Sequence, residues 1–230
     1  KDRARLEVFR NGAQVQPVET EHRADEIASC LHTEMPWMAP ATERLLHEMR
    51  ASVRNGDPAP LVRPMLLVGP PGIGKSHWSR LLGAQLSVPT TIIEATGEPA
   101  AFATKGQSYD LSQGLLPLLE RLTAQSWSCP YYRVPFDMSW ITWILTANSV
   151  NGLSAPFLSR CPPMQLSSLS MNHLISFADR EGVRRQLPHD AIDAVKEVIE
   201  AIQAPHLVSL RSVIRMLDSV EQNINRPLLH

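Results

Sequence analysis

Eleven consecutive residues constrain this chain more than any other stretch: Leu66-Leu67-Val68-Gly69-Pro70-Pro71-Gly72-Ile73-Gly74-Lys75-Ser76. An apolar run leads directly into G-x-x-x-x-G-K-S, a pattern suited to cradling phosphate. Gly69, Gly72 and Gly74 lack Cβ, so the backbone can take positive φ and turn its N–H groups onto α- and β-phosphates. Lys75 is placed to reach the β/γ oxygens, and the Ser76 hydroxyl to ligate Mg²⁺. The helix expected from about Lys75 to Leu86 presents the positive end of its dipole to the same anion. Pro64-Met65-Leu66-Leu67-Val68 suits a buried parallel strand, and Trp78, Leu81 and Leu82 continue at helical spacing. The expected nucleotide-binding residues are therefore Gly69, Pro70, Pro71, Gly72, Ile73, Gly74, Lys75, Ser76 and His77, with ATP or ADP as ligand and Mg²⁺ held through Ser76.

Composition narrows the class. The 230 residues are 43% hydrophobic and 20% charged, enough for a sizeable core in an α/β domain with a smaller companion. The net charge is −1, so a nucleic-acid partner is not favoured. Cys30, Cys129 and Cys161 are scattered and lack C-x-x-C spacing, which points to reduced thiols, a cytoplasmic setting and no zinc frame. The eight histidines show no metal-ligand spacing. No apolar run approaches the roughly 18 residues that a membrane span needs, and no signal peptide is visible. The first residue is Lys1 and not Met, as expected of a trimmed segment.

In chain order, Leu6, Val8, Val15 and Val18 flank Asn11-Gly12 as in a small hairpin over residues 1–21. Helices are expected over Ala24–Leu31 and Ala41–Val53, with Met35-Pro36-Trp37 between them. Trp37 either lines a base pocket or packs those two helices together. Val88–Glu94 reads as a second strand. A helix is expected from Asp110 or Ser112 to Leu122, with Pro117 in its first turn. Trp140–Ala147 reads as a strand ending at Asn148. Three helices should follow: one over Ser170–Ala178 with Ser170 as its N-cap, one over Pro188–Ile199, and one over Ser209–Gln222 whose Leu210, Val213, Ile214 and Leu217 share a face.

Tyr132-Arg133-Val134-Pro135-Phe136-Asp137-Met138-Ser139, then Thr146-Ala147-Asn148-Ser149, then Ala155-Pro156-Phe157-Leu158-Ser159-Arg160 follow one another in an order that resembles the ATPase module of Lon-type AAA+ proteins. The resemblance is clearest over residues 64–86 and 107–166. It implies an α/β P-loop core with a parallel sheet in the order 5-1-4-3-2 and a small helical lid. The corresponding divisions are a lead-in over 1–60, a nucleotide-binding core over 61–168 and a lid over 169–230. Four catalytic residues are implied. Lys75 binds phosphate, and Asn148 stands at the sensor position that orients the attacking water or touches the γ-phosphate. Arg160 matches an arginine finger that acts on the neighbouring subunit's nucleotide. Arg211, in Ser209-Leu210-Arg211, resembles a lid arginine reaching back to the γ-phosphate in its own subunit, with Ser209 where the family has Gly and Arg215 as a rival. A finger working in trans implies a homo-oligomer, in this family a ring of six, acting on protein substrates.

Two departures stand out. No apolar strand ends in Asp-Glu, the element that holds Mg²⁺ and polarises water in such ATPases. The passage from Ala95 to Thr104 is too short for a helix-plus-strand unit, and the pore-facing loop is missing with it. Deleting that strand would leave residues 91–94 with orphaned backbone groups at about 1–3 kcal/mol each, so a segment is expected to be missing near Thr104-Lys105. Otherwise the chain binds nucleotide without turnover, and Glu94, Glu98 and Asp110 are the nearby carboxylates. Lon proteases also carry a Ser-Lys proteolytic domain after the lid; no protease residue is expected before His230. The alternatives to a ring motor are a nucleotide-gated binding module with little or no hydrolysis, and a DNA-linked AAA+ protein.

Overall fold

β1, Met65–Val68, is buried at all four positions because apolar side chains leave it on both faces. Met65 and Leu67 enter one hydrophobic cluster, and Leu66 and Val68 the other, as the two-residue period of a strand requires. β1 is flanked in parallel by β4, Ile144–Ala147, and β5, Pro163–Gln165, giving the order β4-β1-β5. Met65 stands opposite Ile144, and Leu66 opposite Pro163. Pro163 opens an edge strand, where its missing N–H costs no ladder bond. The computed structural model describes Glu7 and residues 15–93, 114–204 and 208–224.

Helices cover the larger cluster. α1, Glu21–Glu34, starts at Thr20, whose side chain accepts the Arg23 N–H at 3.1 Å. α2, Ala39–Asn55, ends at Gly56 in the left-handed region (φ 70°), with the Gly56 N–H returned to the Ser52 and Val53 carbonyls. Ile27 and Leu31 of α1 bury against Leu45 and Met49 of α2, and Arg50 forks onto Asp25 through two bonds of 2.8 Å. α3, Lys75–Gln85, follows the glycine loop and buries Trp78 and Leu82 in the same cluster.

On the other face, Leu66 and Val68 meet Leu115, Leu118, Phe157 and Cys161. Contributing elements are a short turn at Leu116–Leu118, which leads on to α4 (Arg121–Ala124), and α5 (Ala155–Arg160). β2, Trp127–Ser128, and β3, Pro135–Phe136, form a separate antiparallel hairpin. α6, Met171–Arg184, α7, His189–Glu200, and α8, Leu210–Ile224, pack on one another. Ser170 caps α6 as expected, in a reciprocal box with His173.

Several expectations are corrected. The five-stranded order is not seen among the described residues, where the main sheet has three strands. Residues 88–93 are not a strand, because no described strand stands beside them. The chain turns at Ser87 (φ 55°), the Val88 N–H bonds back to Gly83 at 2.9 Å, and Ile92 and Ile93 are exposed. The helix expected to reach Leu122 is broken after the Pro117 turn, where Glu120 adopts extended backbone (φ −119°, ψ 123°). The strand before Asn148 is shorter than expected, with residues 140–143 outside it. Residues 15–20 carry no regular structure, and the rest of the proposed hairpin lies outside the described residues apart from Glu7. Ala95–Thr104, the Thr104-Lys105 junction, Glu94, Glu98, Asp110 and Ser112 also lie outside the described residues.

Candidate phosphate-binding site

The C-terminal edge of the sheet is where the chemistry gathers. β1 ends at Val68, and the chain turns through Gly69–Gly74 into α3. Gly72 and Gly74 have φ of 77° and 92°, a region that L side chains avoid. The loop is also pressed from outside. A Cβ on Gly69 would lie 2.7 Å from the Leu166 carbonyl oxygen, one on Gly72 2.5 Å from Ser209 Cβ, and one on Gly74 2.5 Å from Met35 Cε.

Lys75 opens α3 and turns back beneath the loop. Its Nζ donates to the Gly69 carbonyl at 2.7 Å, the Pro70 carbonyl at 2.9 Å and Asn148 Oδ1 at 3.2 Å. Asn148 is there because β4 runs parallel to β1: Ala147 pairs with Val68, and its carbonyl accepts the Gly69 N–H at 3.2 Å. Lys75 is buried, and the loss of hydration lowers its pKa from the ordinary lysine range. Ser76 and His77 are exposed on the first turn of α3. Nζ therefore sits among neutral acceptors at the N-terminus of a helix, an arrangement chemically suited to an anion.

α8 closes one side. The Leu210 N–H donates to the Gly72 carbonyl at 3.0 Å, which puts Arg211, the next residue, at the border of the loop with its side chain exposed. Ser209, where a glycine was the family pattern, caps the helix by accepting the Ser212 N–H at 3.2 Å. Arg215 is exposed one turn further on.

Arg160 is at the opposite edge. It ends α5 just before β5, and β5 starts beside Leu66 and runs parallel to β1. The residue therefore lies at the N-terminal edge of the strands, with the sheet between it and Lys75. Its Nε bonds Glu120 Oε2 at 3.3 Å. It borders a cavity of about 590 Å³ that Arg63, Pro64, Arg121 and Ile141 also line.

No protein-family model matches the chain. Curated relatives do. A Lon protease of Phenylobacterium zucineum is 31% identical over 121 residues, covering 53% of this chain and 15% of that protein. Lon protease 2 of Thermus thermophilus is 24% identical over 63% of this chain and 23% of its own length. The peroxisomal Lon protease homolog 2 of Caenorhabditis elegans is 22% identical over 88% of this chain and 31% of its own length. The chain is related to the Lon proteases. It spans less than a third of the length of these relatives.

In this Lon-related chain the fold brings Lys75, Asn148, the glycine loop and the start of α8 together, and holds Arg160 apart. Among the described residues, Lys75 has no carboxylate partner. Trp37 is the residue whose place sequence reasoning missed. It does not simply pack α1 against α2: its Nε1 donates to the Ile73 carbonyl at 2.8 Å, and its ring lies against His173 and Phe177 of α6. A buried Trp requires an acceptor for its N–H, but nothing local in Met35-Pro36-Trp37-Met38 says that the acceptor is 36 residues away.

Proposed function

We propose that this chain is the ATPase part of a Lon-related AAA+ ring: it binds ATP with Mg²⁺, hydrolyses ATP, and uses the cycle to remodel or unfold protein substrates. The observation that carries the reading is the Lys75–Asn148 contact under a glycine loop of left-handed backbone. The donor set suits a polyphosphate: backbone amides, one buried ammonium, and the exposed Ser76 and His77 at a helix N-terminus. Bound Mg²⁺ supplies charge neutralisation on phosphate oxygens, and Ser76 is the residue that would hold it. Lys75 takes the phosphate charge, Asn148 positions the attacking water or the γ-phosphate, and Arg211 works from the lid formed by α6–α8. Arg160, at the wrong edge of the sheet for its own loop, serves the loop of the neighbouring copy. On this reading residues 1–60 are the lead-in, 61–168 the core and 169–230 the lid. Proteolysis is no part of the proposal, and the thiols fit a cytoplasmic setting.

A second reading has its own support. Among the described residues no carboxylate stands at Lys75, as turnover requires, which favours a switch that binds nucleotide and closes without hydrolysing it. ATP turnover and ADP binding by the purified chain, beside Lys75→Ala, separate the two. Binding and turnover both abolished by Lys75→Ala support the motor. Binding that Lys75→Ala abolishes, without turnover in the unaltered protein, supports the switch. No nucleotide binding by the unaltered protein overturns both.

A further inference from the structure

Ile73 lies between two left-handed glycines, where the backbone is least determined by local sterics. Its two peptide planes are nevertheless fixed from outside. The Gly72 carbonyl accepts the Leu210 N–H at 3.0 Å, and the Ile73 carbonyl accepts Trp37 Nε1 at 2.8 Å. Carbonyl and following N–H share one planar trans unit and point in opposite directions. Holding these carbonyls outward therefore aims the Ile73 and Gly74 N–H groups away from α8 and Trp37. Those two amides belong to the turn that the glycine pattern dedicates to phosphate.

Trp37 is built for this. It is 8% exposed, and its ring centroid lies 5.4 Å from that of His173 and 6.4 Å from that of Phe177. The neighbouring Met35 fills the space beside Gly74, and Arg180 of α6 donates to the Glu34 carbonyl at 2.8 Å. The turn after α1 is thus fastened both to α6 and to the loop. We infer that Trp37 is a positioning residue for nucleotide phosphate, orienting the Ile73–Gly74 peptide through its indole N–H and tying that peptide to α6. The inference rests on the reading of this loop as a phosphate site.

The test compares Mg·ADP affinity by calorimetry for the unaltered chain, Trp37→Phe and Lys75→Ala. Trp37→Phe keeps an aromatic ring in the pocket and removes the N–H, leaving a buried carbonyl unpaired. Its ADP affinity is expected to fall about tenfold in a protein that still unfolds cooperatively. Affinity within twofold of the unaltered chain, with Lys75→Ala greatly weakened, sinks the role of Trp37 and leaves the phosphate site standing. If Lys75→Ala also binds ADP normally, the phosphate site and the inference fall together. Should Trp37→Phe not fold, the Trp37 indole N–H resonance of the unaltered protein decides. A shift on adding Mg·ADP supports the inference, and an unmoved resonance overturns it.

Discussion

Lys75 and Asn148, 73 positions apart, meet at 3.2 Å where β1 and β4 end together. The ammonium is held by an amide and two carbonyls, with no carboxylate among its described contacts. A partly desolvated charge held only by neutral groups is costly. Lys75→Met is therefore expected to leave the nucleotide-free protein at least as stable as before, by urea midpoint, while nucleotide affinity falls by tenfold or more. A large loss of stability would show that the contact serves the fold and not an anion.

Asn148→Ala separates binding from chemistry. If the amide acts on the attacking water or the γ-phosphate, kcat falls by about a hundredfold, with nucleotide affinity changed little. Equal losses in affinity and rate would instead assign Asn148 to holding Lys75.

Arg160 is partly exposed and its carboxylate partner Glu120 more so. Such a pair contributes at most about 1 kcal/mol, so Arg160→Ala should fold normally. Turnover should nevertheless be lost. Mixing Arg160→Ala with Lys75→Ala protein should restore part of it, because each mixed interface can pair an intact loop with an intact Arg160. Activity that stays absent in every mixture would remove the trans role.

Gly72 and Ser209 test how the loop is seated. Gly72→Ala meets both a φ of 77° and Ser209 Cβ at 2.5 Å. It is expected to cost about 1–3 kcal/mol from the backbone alone, and more from the displaced start of α8. Adding Ser209→Gly should recover the steric share only. Full recovery, or none, in a denaturant titration would contradict this division.

His173 gives the fold a pH dependence. Burial lowers its pKa, and its Nδ1 accepts the Ser170 N–H at 3.3 Å, which requires the neutral ring. Because the folded value is depressed, the unfolded chain takes up the proton first. Stability is thus lost as pH falls from about 6.5 toward the lowered folded value, and is unaffected well above that window. His173→Gln can keep the capping box and should flatten the dependence of Tm on pH between about 7 and 5. An unchanged slope would place the acid sensitivity elsewhere.

Much of this was legible in local patterns. α3, α7 and α8 fall within two residues of their expected limits, and α6 starts at its expected Ser170 cap but runs on to Arg184, six residues past the expected Ala178; apolar spacing, the cap and the glycine loop are local signals. Val88–Glu94 misled: Val, Thr and Ile favour strands, but a strand needs a partner, and over residues 88–93 none is described. Pro117 and its neighbours misled for the opposite reason, since leucine-rich spacing promised a helix that the extended backbone at Glu120 interrupts. The hairpin of β2 and β3 passed unnoticed, each strand having only two residues and no alternation to read.

The sequence alone determined what is chemical and contiguous: a glycine loop ending in Lys75 and Ser76, a buried strand before it and a helix after it. Tertiary structure decided which distant groups meet that loop. Parallel pairing of β4 with β1 brought Asn148 to Lys75, and the same polarity in β5 sent Arg160 to the other edge. The packing of α1, α6 and α8 supplied Trp37 and Leu210 to the loop carbonyls. Strand direction and helix packing are fixed by burial summed over the whole chain, so residues 36 to 138 positions from the loop carry no local mark of where they will stand.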